Sequence, residues 1–182
     1  MSQTLETGGS ELEHKVLEAL KEKISVYGDE SEIRSEETPA GTVEILTAWF
    51  DRFGEHLDAV MGEFLFRDIP GNASGGRYFT SLLTLASDMA IENIPDLAFA
   101  LSMMNFYIET GCFALNKPAD MLVYRNTRTF SGDVSEETLR VECIREMEQA
   151  YETAARYCTI VLALAEGSLS LQGFMDLINT GE

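Results

Sequence analysis

The sequence predicts an all-α protein, a single-domain bundle of five long helices and a short sixth at the C-terminus. Three observations carry that expectation. Val43, Leu46, Phe50, Phe53, Leu57, Val60 and Phe64 are spaced 3, 4, 3, 4, 3, 4, the rhythm of one apolar seam along a helix. Between Leu97 and Ile108, ten of twelve residues are apolar, as in a helix covered on nearly every side. Ser10 with Glu13, and Asp133 with Glu136, have capping-box spacing, and Gly28 and Gly167 stand where the two helices should stop.

Taken in order, residues 1–9 are polar and read as a flexible N-terminal tail, leaving 10–182 as the domain. The first helix spans Ser10 to about Tyr27, with Leu12, Val16, Leu17, Leu20, Ile24 and Val26 on its apolar face. Residues 29–41 hold five acids and one arginine, then Pro39 and Gly41, and read as an exposed acidic linker. The heptad seam then makes a second helix, capped by Thr42 and closed by Pro70-Gly71. A third is expected from about Tyr78 to Glu92, with Phe79, Leu82, Leu83, Ala86, Met89 and Ala90 inward. Pro95 fits the first turn of a fourth, placed at the centre of the fold. The fifth runs from about Asp133 to Glu166 on the stripe Leu139, Cys143, Met147, Ala150, Ala154, Cys158, Val161 and Ala165. Leu169 to Ile178 form the short sixth.

A chain of 182 residues fits one domain and buries enough surface to need no disulfide or metal staple. Its 31 acids against 13 bases give a net charge of −18, which argues against nucleic acid or an anionic membrane as a partner. The N-terminal residues lack a secretory pattern, no apolar run reaches about 20 residues, and Cys112, Cys143 and Cys158 have no metal-ligand spacing. A cytoplasmic protein with reduced cysteines is the expectation.

No catalytic group, metal site or cofactor is expected. Gly71 and Gly76 have phosphate-loop spacing, but Arg77 and Tyr78 stand where lysine and a hydroxyl residue belong, so a hinge is the better reading. His14 and His56 lie far apart in sequence with no metal-binding or triad spacing. Lys117, Tyr124, Arg125, Arg128 and Phe130 gather cations and aromatic rings in one polar segment, a positive island in an acidic chain. With Trp49 they make the expected partner-binding set. Met61, Met89, Met103, Met104 and Met147, with Glu109, are the candidates for an adaptable apolar pocket.

The function these features point to is a non-catalytic regulatory or adaptor protein that binds another protein and self-associates, most simply as a homodimer. The alternatives are an acidic mimic of nucleic acid that occupies a nucleic-acid-binding protein, and a helical sensor of a small apolar ligand.

Overall fold

The computed structural model describes residues 11–26, 29–39, 41–54, 58–71, 75–87, 94–116 and 120–180. It overturns the all-α helical bundle. The protein is a mixed α/β fold, a six-stranded antiparallel sheet with four helices. The elements are α1 (Glu11–Val26), β1 (Glu30–Thr38), β2 (Gly41–Phe53), β3 (Asp58–Asp68), β4 (Arg77–Ala86), α2 (Ile94–Tyr107), β5 (Cys112–Asn116), β6 (Met121–Phe130), α3 (Glu136–Ala165) and α4 (Leu171–Thr180). The strand order is β1-β2-β3-β4-β6-β5, a four-stranded meander extended by a second hairpin.

The corrections all fall on the strands. The expected linker is β1, paired with β2 from Glu30↔Trp49 to Thr38↔Gly41. It reads as a linker because it lies at the sheet edge, where charged side chains keep other strands from adding. The expected second helix is the β2–β3 pair, and the expected third helix holds β4. In β3, Val60, Gly62, Phe64 and Phe66 are buried while Ala59, Met61, Glu63 and Leu65 are more open, a plain two-residue alternation. On β2 the rhythm is blurred because both faces are covered between Ile45 and Ala48, and because Phe50 and Phe53 are both buried with Asp51 and Arg52 exposed between them. The resulting apolar spacing matches a heptad without a helix.

The helices follow the sequence closely. On α3 every residue of the expected stripe, Leu139 to Ala165, is buried. Its cap is Ser135 rather than the expected Asp133: the Ser135 Oγ accepts the Thr138 N–H at 3.2 Å, while the Asp133 carboxylate accepts from the Ser131 hydroxyl. Ser170 caps α4 in the same way, accepting the Gly173 N–H at 3.1 Å. The expected tail, the Ser10 cap and the stop at Gly28 lie outside the described residues, as do Leu57 of the seam and His56.

The chain divides into two compact units. In the first, made of Met1–Trp49, Gly62–Ser81 and Thr127–Met147, α1 buries Val16, Leu17, Leu20 and Ile24. Arg77 of β4 donates to Glu13 of α1 at 2.9 Å, and Phe66 meets Phe79 at 5.1 Å. In the second, made of Phe50–Met61, Leu82–Asn126 and Glu148–Glu182, Tyr151 of α3 stands edge-on to Phe50 and Phe53 at 5.1 and 4.8 Å. Gly54, with φ 68°, closes the end of β2 there. A Cβ at Gly54 would lie 2.3 Å from the Cys158 sulfur, so glycine is required for space as well as for conformation.

Candidate functional site

Helix α2, expected at the centre of the fold, instead has a bare face. Leu97, Ala100, Leu101 and Met104 are buried. The opposite stripe carries Phe99 at 54% exposure, Phe106 at 83% and Tyr107 at 62%. Phe99 and Phe106 are seven residues apart, which puts them on one side of the helix about 10 Å from each other. Ser102, small and exposed, lies between them, and Phe106 meets Tyr107 edge-on at 5.4 Å. Exposed aromatic side chains in such a row mark contact surfaces, since a monomer gains nothing by leaving them in water.

The sequence positions this helix firmly. Pro95 sits in its first turn, where a missing N–H costs nothing. Asn105 fixes its flank. The side-chain amide donates to the Phe113 carbonyl and accepts the Phe113 N–H, each at 2.8 Å. Both backbone groups belong to β5, the strand at the far end of the sheet order, so one asparagine side chain occupies part of that open edge. Tyr124 of β6, edge-on to Phe113 at 5.1 Å, is fully buried, and its hydroxyl donates to the Thr110 carbonyl at 2.5 Å. Gly111, with φ 69°, passes over that ring; a Cβ there would lie 2.3 Å from the hydroxyl.

The charges on α2 and just past its end are acidic, and the nearest described base in the paired strands is exposed Arg125, opposite Cys112. Asp96 and Glu109 are exposed near its two ends, and Asp176 is exposed on α4, which packs beside α2. From Tyr78 to Asn116, and again from Tyr157 to the C-terminus, the sequence contains no lysine or arginine.

The residues singled out by sequence are placed as follows. Trp49 is 40% exposed on β2. Tyr124 is an internal post rather than a surface anchor. Arg125 and Arg128 lie in β6 three residues apart, hence on opposite faces of the strand. Arg125 is exposed, opposite Cys112. Arg128 pairs with Glu142 at 2.7 Å and Glu146 at 2.5 Å on α3, and stacks over Phe130 at 5.5 Å. Those carboxylates, Glu146 first, hold the Arg128 guanidinium above its usual pKa. The expected loop over this polar segment is largely strand β6, and among the described residues of the set Arg128 and the buried Phe130 are brought into contact. Met104 and Met147 are buried, Met61 and Met103 half-buried, and Glu109 exposed. Lys117 and Met89 lie outside the described residues.

His14 is exposed and lies 3.1 Å from Glu44. Among the described residues, no group of three or more His, Cys, Asp or Glu could hold a metal ion, and no helix is long and apolar enough to cross a membrane. No protein-family model matches this chain, and no curated protein matches its sequence. Ser102, Asn105 and Glu109, at spacings of 3 and 4, read in the sequence as one exposed strip on an otherwise buried helix; the apolarity of Phe99, Phe106 and Tyr107 hid that they face solvent too.

Proposed function

We propose that this protein is a non-catalytic binding protein, regulatory or adaptor in character, that holds another polypeptide against the bare face of α2. The observation that supports this is the row Phe99, Phe106 and Tyr107, exposed on a helix whose other side is anchored by buried leucines and by Asn105. A rigid helix with large, pre-positioned aromatic side chains loses little entropy on binding, and aromatic residues are the usual anchors of protein interfaces.

The test is site-specific cross-linking. A photoreactive residue at Ser102, on the face, is compared with one at the exposed Thr129. Ser102 should give one discrete polypeptide adduct, which Phe99→Glu with Phe106→Glu abolishes without lowering the melting temperature. Equal labelling from both positions, or an adduct that survives the double substitution, would overturn the reading.

A further inference from the structure

The charge pattern around α2 selects its occupant, and this step rests on the reading just given. We infer that the α2 face binds a basic amphipathic helix, a segment with large apolar side chains on one stripe and lysine or arginine flanking them at both ends. Two copies of this chain make a poor pair on the same face. In a twofold, antiparallel arrangement of α2 helices, Asp96 of each copy approaches the Glu109 end of the other, so acid meets acid at both ends. Each copy also brings a net charge of −18. A basic segment reverses both contacts.

The ends of the helix ask for cations directly. The last turn of α2 has no basic residue to offset the negative end of the helix dipole, and exposed Glu109 follows two residues later. At the other end, Asp96 supplies the negative charge, and Asp176 of neighbouring α4 adds a third. Asp96 lies in the first turn of α2 and Glu109 two residues past its last, and the fourteen-residue helix itself is about 21 Å long. That span matches a partner helix of about four turns. Between them, the notch over Ser102, walled by Phe99 and Phe106, accepts one large apolar side chain in the manner of helix-in-groove recognition.

The experiment uses the full chain and three labelled peptides of about sixteen residues, followed by fluorescence anisotropy. The first places Leu and Phe at i, i+3, i+4 and i+7 with lysines at both ends. The second keeps that stripe and replaces lysine by glutamate. The third keeps the first composition but scatters the apolar residues around the helix. The lysine peptide should bind roughly ten-fold or more tightly than either of the others, and its affinity should fall with salt. Asp96→Asn with Glu109→Gln should weaken it several-fold and flatten the salt dependence. Phe99→Glu with Phe106→Glu, whose melting is checked in parallel, should remove it.

Equal binding of the lysine and glutamate stripes would overturn the charge inference while leaving the α2 docking reading standing. Lysine-peptide binding that survives Phe99→Glu with Phe106→Glu would show attraction to acids elsewhere and overturn both. Absence of lysine-peptide binding, together with a dimer in light scattering that Phe106→Glu dissociates, would make a second copy the occupant and overturn the inference alone.

Discussion

Phe53 has no exposed surface, and its ring meets Tyr151 edge-on at 4.8 Å while Phe50 lies 6.3 Å away. Truncating a side chain so enclosed leaves a cavity as well as losing transfer energy, so Phe53→Ala should cost about 3–5 kcal/mol in urea unfolding. A loss near the surface value of about 0.5 kcal/mol would show that this ring cluster does not form. The cysteines differ for a related reason. Burial first, then the nearby Glu146, pushes the Cys143 thiol well above its usual pKa, with Arg128 pulling weakly the other way. The folded-state value is raised, so the stability this contributes is present below the unfolded-state value, about 8.5, and is lost as pH climbs beyond it. At pH 8 half-exposed Cys112 should therefore alkylate first, while Cys143 and Cys158 react only as the protein unfolds. Labelling of Cys143 as fast as Cys112 would contradict its burial. These single-residue properties were partly legible in sequence, since Phe53 stood out as core even though its element was misread.

Asn105 joins two elements by one side chain. Asn105→Ala would leave the Phe113 N–H and C=O without their partner at the edge of β5, which should cost about 1–3 kcal/mol and speed hydrogen exchange at the Phe113 amide. Exchange there that is unchanged by the substitution would mean that α2 is held by its leucines alone. At this scale the sequence was legible wherever one period ruled. The α3 stripe from Leu139 to Ala165 has one wet side and one dry, so its helical spacing is unambiguous. The strands are harder because their second face is not polar: Val43, Ile45 and Trp49 on β2, and Met61 and Leu65 on β3, fill the positions where alternation needs contrast. β1 failed in the opposite direction, with Ile33 its lone apolar residue. Local spacing could not say which face Arg125 and Arg128 would take until the segment was known to be a strand, and so the expected basic island came apart.

Across the whole molecule the governing quantity is surplus negative charge. With 31 acids and 13 bases, carboxylates outnumber cations by eighteen, so self-repulsion works against the compact state. The ion pairs that do form are mostly at the surface, such as Lys15 with Glu11 at 3.0 Å, where each contributes little and is itself screened. The two effects oppose each other as salt is added, and the count decides between them. Screening should relieve repulsion more than it weakens pairs, so the melting temperature should rise by a few degrees between about 0.01 and 0.15 M salt, as the Debye length contracts from about 30 to about 8 Å. Lowering the pH from 7 toward 5 should act in the same direction by beginning to neutralise ordinary carboxylates. Glu11, held low by the Lys15 hydrogen bond and charge, and Asp133, held low by Ser131, behave differently. Their folded-state values are depressed, so what they contribute is present above the unfolded value and is lost only as pH falls through the folded one, below the usual carboxylate range. Maximum stability is therefore expected near pH 5, with a fall on either side, and thermal unfolding followed across pH and salt reads it out. A melting temperature that drops with added salt at pH 7 would mean that paired charges, rather than unpaired ones, dominate this protein's electrostatics.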